Sequence, residues 1–382
     1  MSLFRRSLLV VALSGSLFAH AAEPATPTTV AAQYALIVHA SYEDALAGAK
    51  QLQQSIDTFL AAPSAETLKA ARDTWLASRE WYGQTEAYRF ASGPIDSEDG
   101  PEGQINSWPM DEVYVDYVKG KPKAGLINNP KLKLNRELLL AANQKGGEEN
   151  VSTGWHAIEF LLWGQDLNQK GPGDRQFTDF VDGKAANADR RRTYLKLVTD
   201  LLVDDMASMV KAWAPDADNY RAKFVKDEDA LKKMLTGIGV LSRGELAGQR
   251  MEVALATKSQ EDEHSCFSDN THRDIVVDAV GIQNVWEGRY KRADGSELSG
   301  PSLRELVAAK DAKIAAKTSA DMAQSVKLAN EIQAPFDQEI IGGNNAPGRK
   351  RVRVVIDALK AQANDLVQAA KVLGIKNLNT KA

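Results

Sequence analysis

Residues 28–61 read TTVAAQYALIVHASYEDALAGAKQLQQSIDTFLA, and Val30, Tyr34, Ile37, Tyr42, Leu46, Leu52, Ile56 and Leu60 recur in them mostly at the three- and four-residue steps of a helix. Pro63-Ser64 breaks the run. Ser64 is a plausible N-cap, with Glu66 in the first turn, for a second helix running to about Phe90, and Gly93-Pro94 ends it. Shorter helical stretches follow near 111–118, 132–143 and 152–163. Long ones resume near 187–214, 228–258, 271–288, 301–333 and 348–373. Alternating Val/Ile/Thr patterns with tight-turn signals are hardly visible, so the class is all-α, built as antiparallel bundles.

A chain of 382 residues exceeds what one core normally serves. Helix–break–helix over 34–90 resembles 235–290 in outline, the first ending in an aromatic stretch (81–90) and the second in Trp286-Glu287-Gly288-Arg289-Tyr290. We therefore expect two pseudo-symmetric bundles, 22–186 and 187–382, with a cleft between them. Two Gly/Pro/Asp-rich stretches, 91–110 and 164–174, read as ordered functional loops.

The first residues belong to no bundle. Arg5-Arg6, the short apolar run Ser7–Phe18 and Ala19-His20-Ala21 form a secretory signal peptide, with cleavage expected after Ala21 and the mature chain in the periplasm. The apolar run is too short to span a bilayer, and no later stretch is long enough. Charge is nearly balanced, 47 Lys+Arg against 51 Asp+Glu, which argues against a nucleic-acid partner. Cys266 is the sole cysteine, so no internal disulfide and no cysteine-based zinc site can form. A metal here must be held by His and carboxylate groups.

The sharpest chemical signal is Gly154-Trp155-His156-Ala157-Ile158-Glu159. Positions i and i+3 share a helix face, so the His156 imidazole and the Glu159 carboxylate can reach one cation. The bland alternative is an exposed hydrogen-bonded couple. The surrounding Trp155, Ile158, Phe160, Leu161, Leu162 and Trp163 argue instead for burial, where a polar pair needs a partner or a metal. Glu86 is a further candidate metal oxygen, with Arg89 and Asp96 as anion- or ligand-orienting groups. A structural Arg–Glu pair explains the same residues equally well. The segment 261–272 adds His264, Asp269 and His272 as candidate ligands and Ser268 as a candidate ligand-binding group, unless it is simply a solvated acidic loop. Trp108 could wall a pocket or anchor its loop. No HExxH, GxSxG, P-loop, Rossmann glycine pattern or CxxCH occurs.

Three of these segments, in this order, carry a resemblance. Residues 81–90 with the Gly93-Pro94-Ile95-Asp96 turn, GWHAIEFLLWGQDL (154–167) and EDEHSCFSDNTHRD (261–274) are similar to the imelysin family, including its iron-regulated bacterial members. The family's GxHxxE hallmark falls on Gly154, His156 and Glu159. The resemblance implies a duplicated helical fold, export, and a role in iron acquisition. It implies a divalent or ferric ion, iron first and zinc second, or an iron chelate, with a periplasmic or outer-membrane transport partner. The family is also catalogued as metallopeptidases, which is the alternative activity. Imidazole ligation further predicts that metal binding weakens below about pH 6.

Overall fold

Thr26 starts the first helix. Its hydroxyl accepts from the Thr29 N–H at 3.2 Å, Thr29 returns a bond to the Thr26 N–H at 2.9 Å, and Pro27 fills the first helical position, where no N–H is needed. In the computed structural model, which describes residues 24–381, this helix is α1 (Pro27–Ala61). The leader expected over 1–21 lies outside the described residues. Ser64 caps α2 (Ala65–Tyr82) as its sequence predicts, accepting from the Thr67 N–H at 3.1 Å. The helix stops short of Phe90, however. At Gly83 it tightens into a 3₁₀ segment, Gly83–Tyr88, where the chain meets the second half: a Cβ on Gly83 would lie 2.3 Å from Val277 Cγ2.

Two more long helices complete the first group, α3 (Gly154–Trp163) and α4 (Ala188–Trp213). α1 packs along α2 and α4, and α3 packs on both α2 and α4. A boundary at 186/187 assigns α4 to the second half, yet its neighbours are α1 and α3, because its apolar face (Leu195, Val198, Leu202, Met206) is complementary to theirs.

The second group begins with α5 (Ala230–Val240), which continues without a break through a π-helical segment, Leu241–Glu252, to Val253–Thr257. It continues with α6 (Thr271–Glu287), α7 (Ala312–Ala329) and α8 (Pro347–Val372). The run expected over 301–333 is two helices, because Asp311 accepts from the Lys313 and Ile314 N–H groups and starts α7 afresh. α8 packs on α7 and on the π-helical segment, and α6 packs on α7. Gly288, at φ 65°, ends α6 and leads into a hairpin of β1 (Arg289–Lys291) and β2 (Glu297–Ser299), paired antiparallel. This hairpin is the one sheet among the described residues, and the protein is all-α in class. One continuous apolar core runs through both groups, with Trp75, Trp155 and Trp286 fully buried in it. No described helix is long and apolar enough to cross a membrane.

Candidate functional site: a buried His–Glu pair between the two helical groups

Gly154 sets the position of α3. Its φ of +84° is left-handed, and a Cβ there would stand 2.3 Å from the Ile105 carbonyl oxygen. Only glycine lets the 104–106 backbone lie this close to the start of the helix. Across the next turn, His156 Nδ1 and Glu159 Oε2 are 2.8 Å apart, and the two residues are 1% and 0% exposed. The loop before α6 crosses above them. Ser268 donates from its backbone N–H at 2.9 Å and its hydroxyl at 2.7 Å to Glu159 Oε1, so both carboxylate oxygens are engaged.

His264, from the same loop, brings its ring to 4.8 Å from that of His156, centroid to centroid, and Trp108 lies edge-on to it at 5.8 Å. The Trp108 indole N–H donates to the Glu263 carbonyl at 2.6 Å, which anchors the loop. Burial strips water from a charged imidazolium, and Arg79 adds repulsion, so His156 is lowered to about 3. Burial, with Arg250, lowers His264 to about 3 as well. Burial pushes Glu159 the other way, up to about 8, against the opposing pull of the Ser268 donors. The result is two neutral imidazoles and a carboxyl that keeps its proton at neutral pH.

The remaining candidates separate. Glu86 is fully buried, but its oxygens are taken by Arg89 at 2.7 Å, Arg250 at 2.5 Å and Asn106 at 3.1 Å. Burial alone would raise this carboxyl, yet the two guanidinium groups hold it well below the usual carboxylate range. Arg89 is itself committed to Glu86 and Glu102 rather than open to an anion. Asp96 closes the turn after the 3₁₀ segment, accepting from the N–H groups of Phe90, Ala91 and Gly93. His272 turns Nδ1 to the Asp269 carbonyl at 3.1 Å. With Asp269 and Ser268 it faces an open groove of about 590 Å³ rather than the His156 ring.

Several residues at the centre carry no signal in any short motif. Arg79 donates to Asp274 at 3.1 Å and to Asn106 at 2.8 Å, and Arg250 joins Glu86, Glu245 and Asp278. Ser265 donates to Asp274 at 2.5 Å. A signal did exist: Arg79 continues the buried stripe Leu68, Ala71, Trp75 of α2, and Arg250 interrupts the stripe Leu246, Ala247, Met251, Ala254. A charge on an apolar helix face forecasts a buried partner.

As a donor set for a cation, the centre offers His156 Nε2 and His264 Nε2, both buried and without hydrogen-bond partners, while His264 Nδ1 faces the Asp274 carboxylate at 3.5 Å. As the side chains stand, no three His, Cys, Asp or Glu groups among the described residues are arranged to hold one metal ion. The unpartnered imidazole nitrogens fit an ion; a complete ligand shell needs further oxygen donors.

The imelysin family model matches residues 38–366. Iron-regulated protein A of Synechococcus elongatus is 26% identical over 87% of this chain and 84% of its own length. Among solved structures, a protein described as an iron-regulated protein A precursor from Parabacteroides distasonis superposes with a TM-score of 0.67 at 18% identity, covering 91% of this chain and 96% of that one. An imelysin-like protein from Psychrobacter arcticum gives 0.61 at 15% identity, covering 92% and 98%.

Proposed function

The chain belongs to the imelysin family, and from that premise we propose that it is an exported iron-handling protein that binds a metal cation at His156 and His264. The observation that carries this reading is the unpartnered His156 Nε2 beside the unpartnered His264 Nε2, each ring at most 2% exposed. Burying such groups without a partner costs about 1–3 kcal/mol each, a cost that ligation removes. In this arrangement Glu159, backed by Ser268, is the carboxylate that orients His156 through Nδ1 and leaves Nε2 for the ion. The iron connection rests on the likeness to iron-regulated relatives, and export rests on the leader read over residues 1–21.

Binding is favoured over peptide hydrolysis by burial. A hydrolytic ion must present its water to a polypeptide backbone, and His156 and Glu159 are closed to anything of that size. Elemental analysis of protein isolated from the periplasm without chelator tests the reading. About one equivalent of metal is expected, with affinity reduced tenfold or more in His156→Ala and in His264→Ala. Metal-free protein whose iron and zinc affinities are indifferent to both substitutions would end it.

A further inference from the structure

A neutral imidazole shares one proton between two nitrogens, and a buried N–H needs an acceptor. His264 Nε2 has none: it is buried and pairs with nothing. The other nitrogen, Nδ1, faces Asp274 Oδ2 at 3.5 Å. That separation is long for a hydrogen bond, yet this carboxylate is the acceptor that the ring meets on either of its nitrogen edges. The proton belongs on Nδ1, where it meets a negative charge.

Asp274, at the start of α6, is held in place by groups that only donate to it. Arg79 of α2 reaches Oδ1 from Nη2 at 3.1 Å and from Nε at 3.3 Å, and the Asn270 amide reaches the same oxygen at 3.2 Å. The Ser265 hydroxyl donates to Oδ2 at 2.5 Å. Arg79 is fixed in turn. It donates to Asn106 at 2.8 Å, and its guanidinium lies over the rings of Trp75, Tyr82 and Trp155. Arg79 and Asp274 thus form a fully buried ion pair between the two helical groups, with one carboxylate oxygen turned to the arginine and the other to the loop of His264.

We propose that Asp274 is a positioning residue for the ion: it draws the His264 proton to Nδ1 and so keeps Nε2 bare for ligation. The proposal rests on the functional reading above and deepens it. Glu159 and Asp274 back the two histidines in the same manner, each through Nδ1 and one from each helical group. A carboxylate in that place fixes the tautomer and the orientation of a ligating ring, and its loss costs about 10–100-fold in metal affinity.

The test reads the tautomer itself. Mature protein carrying nitrogen-15 in its histidines, free of metal and at neutral pH, gives a long-range proton–nitrogen NMR spectrum that separates protonated from bare ring nitrogens. The signals that vanish in His264→Ala belong to His264, and wild type should show a protonated Nδ1 and a bare Nε2. In Asp274→Asn the oxygen must stay with Arg79 and Asn270, so the amide nitrogen turns to Ser265 and His264 and the ring proton moves to Nε2. Affinity for Fe2+ or Zn2+ should then fall about 10–100-fold. Ser265→Ala removes a bond to the same carboxylate but leaves its charge, and should keep both the tautomer and the affinity of wild type. Circular dichroism and Tm verify both folds, and the wild-type spectrum decides the tautomer even if Asp274→Asn does not fold. A proton on Nε2 in wild type, an unchanged tautomer or unchanged affinity in folded Asp274→Asn, or an equal loss of affinity in Ser265→Ala overturns the proposal. In each of these cases uptake that still vanishes in His156→Ala leaves the functional reading standing. Wild type that takes up neither ion ends the functional reading and with it the role proposed for Asp274, whatever the spectrum shows.

Discussion

At the scale of single residues, the question is which nitrogen of His156 carries the proton. Glu159 as a carboxylate accepts from Nδ1–H and leaves Nε2 bare; as an acid it donates to Nδ1 and leaves the proton on Nε2. Glu159→Gln fixes the second state, because its amide nitrogen must donate while its oxygen serves Ser268. That variant should keep its Tm within a few degrees yet lose metal affinity about as fully as His156→Ala, as a paired titration with Fe2+ or Zn2+ and thermal melting would check. The pH dependence follows from the same proton. Glu159 is raised to about 8, so the metal-free pair holds a proton below that value and the ion must expel it. Affinity should therefore rise up to about tenfold per pH unit between about pH 6 and about pH 8 and level off above. Calorimetry in two buffers of different ionisation enthalpy should report about one proton released per ion. The weakening below pH 6 expected from ordinary imidazole chemistry is displaced: His156, lowered to about 3 by burial, stays neutral through that range, and Glu159 governs the titration.

At the scale of elements, close backbone approaches fix where the ligands stand. The start of α3 sits against the Ile105 carbonyl through Gly154, and a side chain there meets both the clash and the left-handed φ. Gly154→Ala should cost about 1–3 kcal/mol in urea unfolding. It should also weaken metal binding, because His156 lies only half a turn along from the strained position. The 3₁₀ segment after α2 approaches α6 in the same manner: a Cβ on Gly281 would stand 2.4 Å from the Gln84 carbonyl oxygen. Glu86 points inward from this segment, so the tightening that ends α2 also delivers the anion around which Arg89 and Arg250 gather.

At the scale of the whole molecule, the two helical groups are joined by charge as well as by oil. Arg250, from the π-helical segment, donates across the boundary to Glu86 at 2.5 Å and within its own group to Asp278 at 2.9 Å and Glu245 at 3.0 Å. Arg79 of α2 answers from the other side with Asp274 of α6. Such pairs add little net stability over an apolar replacement, but removing one partner strands the rest. Arg250→Ala should destabilise by about 3–5 kcal/mol, measured by denaturant unfolding, since Asp278 would be left buried without its guanidinium partner and Glu86 with Arg89 alone. The more conservative Arg250→Lys should recover only part of that, because an ammonium lacks the planar fork that serves three carboxylates.

Local chemistry wrote much of this protein into its sequence. The three- and four-residue steps of α1, the Ser64 cap, the Gly288 stop and the HxxE spacing that brings His156 onto Glu159 all depend on neighbours a turn away, so the linear order suffices to read them. What depends on partners far along the chain was settled only by folding. The length of α2 ended at Gly83 because α6 lies against it. His272 became a groove residue, while Glu86, besides the Arg89 three residues along with which its spacing pairs it, took Arg250, which no spacing rule connects to it. Arg79 and Arg250 announced themselves only as charges on apolar stripes. A stripe tells that a partner must exist; the partner's identity is a long-range matter of which surfaces come to face one another.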